Sequence, residues 1–260
     1  MNTTHLLEYV IIAYRSSFIL GLISLLVAKS ILPEFLQYGK TLTINKNTED
    51  VSTKEFNNIY ALWDKIVHFT VPKSWFTHFY YLSTSLSVIT LISYYQQPIV
   101  WLLLFHSLRR LYETLYVLNY KNNAQMNWSH YLVGLWFYSV LHLMVRIKLS
   151  QDEMYSSLNY TSLIIFLLAS WDQNRNHHVL ASLVKYSLPT ERLFQWCCNP
   201  HYFDEVIIYA CLIPYHREFS WQVIWVITSL TISATETRNY YTSKFKELDV
   251  PRYSIIPFVI

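Results

Sequence analysis

Glycine is nearly absent from this chain: 260 residues contain three, at Gly21, Gly39 and Gly134. A dinucleotide fingerprint or a P-loop needs several glycines within one turn, so both are excluded, and any nucleotide must be held by side chains. Cysteine is as scarce. Cys197, Cys198 and Cys211 have neither zinc-ligand spacing nor an even count for a disulfide framework, which predicts reduced thiols. Charged residues make up only 14% of the sequence while 53% are hydrophobic, too apolar a balance for most soluble folds of this length. The N-terminus lacks the basic start, short apolar core and small-residue cleavage site of a removable signal. Its apolar run begins at once and reads as a retained first span. No internal repeat, heptad series or low-complexity tract is present, and the polar run Asn45 to Glu55 is the one linker-like stretch.

What remains is material for crossing a bilayer. About 20 apolar helical residues, rising about 1.5 Å each, cover roughly 30 Å of hydrocarbon. Windows of that kind predict helices over residues 6–32, 75–96, 98–118, 128–149, 156–172, 202–215 and 218–236. The sixth is short enough to be re-entrant or tilted rather than spanning. The expected fold is therefore an all-α integral membrane bundle of about seven transmembrane helices, a single domain over 1–260. Of the twenty basic residues, Arg146, Lys148 and Arg217 fall in outer loops if the N-terminus lies outside the cytosol. Arg15, Lys29, Arg109 and Arg110 fall within spans, and the remaining thirteen lie on the inner side. That asymmetry follows the positive-inside rule and puts the C-terminal tail and the 173–201 loop in the cytosol. Sequons occur at Asn2, Asn127 and Asn159, a three-residue match that carries little weight.

Polar residues interrupt these spans in clusters. The third span, FHSLRRLYETLYVL, sets His106, Arg110 and Glu113 on one helical stripe with Arg109 beside them. Ionisable groups cost roughly 2.5–3.5 kcal/mol each within a span and face a bundle interior or wet cavity. Two uses are open: an ion pair that fastens helices, or a polar ligand cavity. At the inner end of the fifth span, Asp172, Gln173, Arg175, Asn176, His177, His178 and Lys185 gather, a set able to answer phosphate charge and read ribose hydroxyls. A basic loop on anionic headgroups would look the same. Adjacent His177 and His178 point to different sides of a helix, so no metal site is expected. Asn199, His201, Asp204 and Glu205 precede a short apolar run, where helix capping is the plain alternative to binding. The tail carries Glu236, Arg238, Tyr240, Tyr241, Lys244 and Arg252 and ends in the apolar Pro257-Phe258 segment, which is expected to re-enter the interface. The 22 tyrosines are mostly accounted for by aromatic belts at the two interfaces.

Seven segments, in order, carry a family resemblance: LPEFLQYGKT (32–41), FTVPKSWFTHFYYL (69–82), HSLRRLYETLYV (106–117), MNWSHYLVGLWFY (126–138), NHHVLASLVKYSLP (176–189), LFQWCCNPHYFDEVIIY (193–209) and the tail from Ser233. Together they resemble the steroid 5α-reductase superfamily and, within it, the eukaryotic branch acting on polyprenal, yeast members in particular. The resemblance runs nearly end to end, with the reductase region at roughly 98–260. It implies a multi-pass endoplasmic reticulum enzyme that uses NADPH to saturate the α-isoprene double bond of polyprenal, giving dolichal for dolichol synthesis and protein glycosylation. It further implies a cytosol-facing cofactor cavity contacted by Arg110, Gln173, His177, Lys185, Tyr186, His201, Glu205, Arg238, Tyr241 and Arg252. Tyr112, His106 and Tyr80 are the expected catalytic residues, with Tyr116 and His78 as further donors within reach of the substrate carbonyl. A long isoprenoid lipid is the expected partner, with no metal and no nucleic acid. The substrate-carbonyl contacts do not transfer, because Lys65 and Ser107 stand where steroid reductases carry glutamate and tyrosine. Glu191 replaces a common glycine and Arg238 a common histidine. Two other classes stay open on residues alone: an isoprenoid-handling membrane methyltransferase, and a non-catalytic scaffold or transporter in which Arg110 and Glu113 are a packing pair.

Overall fold

The computed structural model describes residues 3–31, 65–120, 124–184, 187–256 and 259. The expected linker Asn45–Glu55, the re-entrant Pro257-Phe258 segment, and Lys185 and Tyr186 lie outside those residues. Among the described residues, seven helices exceed ten residues: α1 (Thr3–Ile31), α2 (Phe76–Tyr94), α3 (Pro98–Tyr112), α4 (Trp128–Ser150), α5 (Tyr160–Ser182), α6 (Pro200–Ala210) and α7 (Phe219–Lys244). Each falls on one of the seven predicted segments. Their limits follow local chemistry. Pro98 and Pro200 open α3 and α6 at the first helical positions, where a missing amide proton costs nothing. Asn127 and Asn159 cap α4 and α5, their side-chain oxygens accepting from Ser129 and Ser162 amides at 3.0 and 2.9 Å.

Two helices are long and apolar enough to cross a membrane on length and composition: His5–Ile31, with mean hydropathy 2.1, and Trp128–Ser150, with 1.4. α6 is too short to span, since its 11 residues reach about 16 Å. α5 extends ten residues beyond the predicted 172, because Asp172, Gln173, Asn176 and His177 find partners inside the bundle and the helix has no need to stop where the apolar run does. α7 runs on past the predicted 236 to Lys244.

α2 and α3 form a tight antiparallel hairpin, α4 packs on α2, α6 lies between α5 and α7, and α1 leans on α7. Large aromatics fill these seams: Phe18 meets Trp136 at 4.9 Å, and Trp136 meets Trp225 edge-on at 5.1 Å. Gly134 admits the Phe79 ring so closely that a β-carbon there would sit 2.5 Å from it. The outer side of α1 shows Ile12, Leu20, Ile23 and Leu26, an apolar surface of the kind that suits contact with lipid. Arg15 makes two bonds to the Glu218 carboxylate, fixing α1 to the start of α7. A short antiparallel pair, β1 (Thr70–Pro72) with β2 (Gln125–Asn127), ties the chain before α2 to the start of α4. Within it Asn127 is 1% exposed and donates to the Val67 carbonyl at 2.6 Å, so its sequon is closed to modification in the folded chain.

Candidate active site

The third-span stripe becomes the centre of a buried ion cluster. α3 ends in a π-turn, Glu113–Val117, in which the Leu118 amide bonds back five residues to Glu113. Such turns interrupt helices most often at functional positions. Glu113 is fully buried and receives four neighbours. Arg109 Nη1 donates to Oε1 and Arg110 Nη1 to Oε2, both at 2.5 Å, while Asn174 Nδ2 donates to Oε1 at 2.9 Å. His177 Nδ1 lies 2.8 Å from Glu113 Oε2 and 2.9 Å from Arg110 Nη1. A single ring nitrogen cannot donate to the first and accept from the second, so the tautomer of His177 selects one of the two bonds.

Arg110 also reaches α2. Its Nε and Nη2 donate to the Tyr80 hydroxyl at 3.1 and 2.9 Å, with the guanidinium 4.9 Å from that ring's centre. Arg109 donates to Gln173 Oε1 at 2.5 Å; Gln173 in turn donates to the His201 carbonyl at 3.0 Å and to the Glu205 carboxylate. His106 lies between Glu205, 3.7 Å from its Nε2, and the Tyr209 ring at 5.7 Å. The cluster thus sets two guanidinium groups against two carboxylates, a balance that lets four charges stay buried. Among the described residues, Arg109 Nε and His106 Nε2 are buried with no hydrogen-bond partner, the latter keeping only its 3.7 Å contact with Glu205.

A second network flanks the first. Asn176 donates to Asp172 at 3.0 Å and to Asp204 at 2.8 Å, and Arg192 pairs with Asp172. Arg192 adopts φ +55°, a left-handed conformation disfavoured for a residue with a β-carbon, and is held there by that pair and by the Trp171 ring 5.9 Å away. The C-terminal segment closes over this end. Arg238 donates to the Pro251 carbonyl at 3.3 Å, Asn199 donates to the Ser254 carbonyl at 3.2 Å, and Tyr253 bridges to Cys197. The thiol of Cys197 is pushed up to about 12 by burial, first of all.

Among the predicted site residues, then, the fold brings together Tyr80, His106, Arg110, Gln173, His177, His201 and Glu205. Arg238 and buried Tyr241 sit near the tail strap, and Arg252 is exposed beside the Tyr253 ring. Tyr112 is not brought in: it is 55% exposed and packs on Tyr116 at 5.3 Å on the outer face of the bundle. His78 is spent on the Tyr131 hydroxyl at 3.1 Å, and Lys65 is exposed. Sequence reasoning passed over Asn174 and Arg192 as ligands of these carboxylates, and over the buried polar row Ser83, Ser107 and His142. His142 carried a signal, as the one imidazole inside an otherwise apolar stretch of the fourth span. Ser83 carried none, and Ser107 only its departure from the family's tyrosine. Among the described residues no group of three or more His, Cys, Asp or Glu is placed to hold a metal ion.

Comparison with known proteins bears on the same residues. The profile of the family described as 3-oxo-5-alpha-steroid 4-dehydrogenase matches residues 131–260, which include His177, Glu205 and the tail strap. The chain is 58% identical over 255 residues, 98% of its length, to the polyprenal reductase of Saccharomyces cerevisiae, covering 97% of that protein. It is 31% identical over 178 residues to the Drosophila melanogaster polyprenal reductase, across 58% of this chain and 54% of that one. It is 29% identical over 187 residues to the Danio rerio protein of the same name, across 63% and 59%. The chain belongs to the family of 3-oxo-5-alpha-steroid 4-dehydrogenases, the steroid 5α-reductases.

Proposed function

We propose that this protein is a membrane oxidoreductase that saturates the α-isoprene double bond of polyprenal, giving dolichal, with NADPH as the reductant. The observation that carries the reading is the 58% identity to the yeast polyprenal reductase over 98% of the chain. The family supplies a nicotinamide cofactor in general terms. NADPH in particular is favoured by Arg175, Arg238 and Arg252 at the polar end of the bundle, which form no ion pair with a described carboxylate and suit the extra phosphate.

The residues fit such a group. Among the described residues, buried Arg109 Nε and His106 Nε2 make no hydrogen bond, and an unsatisfied polar atom in this setting is a place for a ligand atom. Arg110, Gln173, His177, His201 and Glu205 would hold the cofactor within the bundle, and Arg238, Tyr241, Arg252, Lys185 and Tyr186 would hold it at the tail side. When bound, a reduced nicotinamide supplies a hydride to the β-carbon of the enal, the electrophilic position conjugated to the aldehyde. Tyr80, held by two bonds from Arg110 and bonded to the Tyr138 hydroxyl, would pass its proton to the neighbouring α-carbon. The buried ion pairs hold Arg110 and Tyr80 still, so that little reorganisation accompanies reaction. A bundle open sideways to lipid suits a substrate that is mostly isoprenoid tail. All seven helical segments would lie in the endoplasmic reticulum membrane, with α6 partly inserted and the C-terminus cytosolic.

The test is turnover by purified protein in detergent with polyprenal and NADPH, dolichal being followed by mass spectrometry. Dolichal should form in proportion to NADPH consumed, and Glu205→Gln should weaken NADPH binding while leaving the fold. Folded protein that binds no NADPH would refute the reading.

A further inference from the structure

Tyr80 has one proton, and a group that gives its proton away at each turnover has to recover one before the next. Two further tyrosines continue from it. The Tyr138 ring of α4 meets the Tyr80 ring edge to face at 5.5 Å, and their hydroxyls are hydrogen-bonded. Tyr209 of α6 comes next. Its hydroxyl neighbours that of Tyr138, is buried, and completes no hydrogen bond of good geometry among the described residues. Phe137 wedges both rings, meeting Tyr138 edge to face at 5.3 Å and Tyr209 at 5.4 Å. Tyr80, Tyr138 and Tyr209 are each at most 6% exposed.

The row therefore crosses the bundle from α2 through α4 to α6. At its far end the Tyr209 ring lies 5.7 Å from the His106 ring, and His106 Nε2 faces the Glu205 carboxylate at 3.7 Å. The Glu205 side chain is 15% exposed, so this end, unlike the tyrosines, is within reach of water. A phenol both donates and accepts, so a file of phenols can hand a proton along, each hydroxyl giving on one side and taking on the other. Packing alone does not call for these hydroxyls. Phenylalanine has the same ring, and a buried hydroxyl that makes no hydrogen bond, as at Tyr209, costs stability. Arg110, which donates twice to the Tyr80 oxygen, stabilises the phenolate left when that proton departs.

We propose that Tyr80, Tyr138 and Tyr209 form a proton relay that recharges Tyr80 from solvent at the Glu205 end. The proposal rests on the reductase reading above. Once the β-carbon has received hydride, the electron pair left at the α-carbon takes the Tyr80 proton. One C–H bond forms, and Tyr80 is left as a phenolate beside Arg110. That phenolate takes the Tyr138 proton, Tyr138 takes the Tyr209 proton, and Tyr209 takes one from solvent. Each O–H bond broken along the row is matched by one formed, and the overall uptake is one hydride and one proton per double bond. Tyr138 and Tyr209 act through Tyr80 and are positioning residues.

The experiment compares the first turnover with the steady state. Polyprenal is mixed rapidly with NADPH-loaded wild type, Tyr138→Phe and Tyr209→Phe while NADPH absorbance is followed, and NADPH Kd and melting temperature are measured for each. Tyr80 starts out protonated, so both variants should oxidise one NADPH per chain in a burst within a few-fold of the wild-type rate. Turnover should then slow by about a hundredfold, the lower end of what a positioned proton transfer contributes, with NADPH Kd unchanged. A merely structural role for either hydroxyl would slow both phases together. Equal losses in the two phases, or steady turnover within a few-fold of wild type, in either folded variant would overturn the relay and leave the reductase reading standing. Tyr209→Phe removes a hydroxyl that completes no hydrogen bond and should fold even where Tyr138→Phe does not. Wild-type protein that binds NADPH but forms no dolichal would remove the relay and the reading together.

Discussion

Glu113→Gln is the substitution the charge cluster makes most informative. The carboxylate takes bonds from Arg109, Arg110 and Asn174 and contacts His177, all within 2.9 Å and without solvent. Glutamine keeps one acceptor oxygen and turns an N–H₂ toward a guanidinium, leaving two buried cations facing the remaining carboxylate, Glu205. Removing one partner from a buried pair costs about 3–5 kcal/mol. At roughly 2–4 °C per kcal/mol for a chain of this size, the melting temperature in detergent should fall by about 6–20 °C. Asn174→Ala removes a single bond to the same carboxylate and should cost only about 1.5–3 kcal/mol. Arg110→Met combined with Glu113→Leu, which deletes charges of both signs, should recover part of the loss. A Glu113→Gln protein melting within about 2 °C of wild type would show that the carboxylate is not the hub of this cluster.

Other expectations follow from the same structure. Gly134→Ala drives a β-carbon into the Phe79 ring and should destabilise by about 1–3 kcal/mol, with Phe79→Leu restoring stability in the double variant, both read by thermal unfolding. All three cysteines are buried, and Cys197 holds its proton up to about 12, so a thiol reagent at pH 8 should label none in the native protein and three after denaturation. Lys148 donates to Glu153 at 2.7 Å and thereby holds that carboxyl below its ordinary value of 4.5. A depressed carboxylate stabilises above the unfolded value and stops doing so as pH falls through the folded one. Wild type should therefore lose stability below pH 4.5 more steeply than Glu153→Gln; parallel curves would contradict the pairing.

The helices were legible as apolar runs: each of the seven long helices falls on a predicted segment, two of them are long and apolar enough to cross a membrane, and caps at Asn127 and Asn159 explain where two begin. The inner end of α5 was not, since hydropathy falls at Asp172 while the helix continues, its polar residues being satisfied by α6 and by the π-turn. Arg110 and Glu113 were legible as inward-facing residues because charge is costly in a span and has to turn from lipid. Tyr112 misled for a geometric reason: it sits two residues from Arg110, about 200° around the helix, and so on the opposite face. Ser83 left no trace, and Ser107 stood out only as a departure from the family pattern, because serine in a membrane helix satisfies itself on its own backbone and costs little. Only the pairing of α2 with α3 and α4 brings them together. The sequon at Asn127 was legible as a motif, but its burial depends on the β1–β2 contact, which hydropathy does not encode.

The central claim is conjugate reduction of an enal, and the position of transferred hydrogen tests it directly. With NADPH deuterated at the transferring position of C4 and polyprenal in ordinary water, the product should be dolichal with one deuterium at the β-carbon, the α-hydrogen coming from solvent. Deuterium on the carbonyl carbon, with polyprenol as the product, would show reduction of the aldehyde itself and contradict the account.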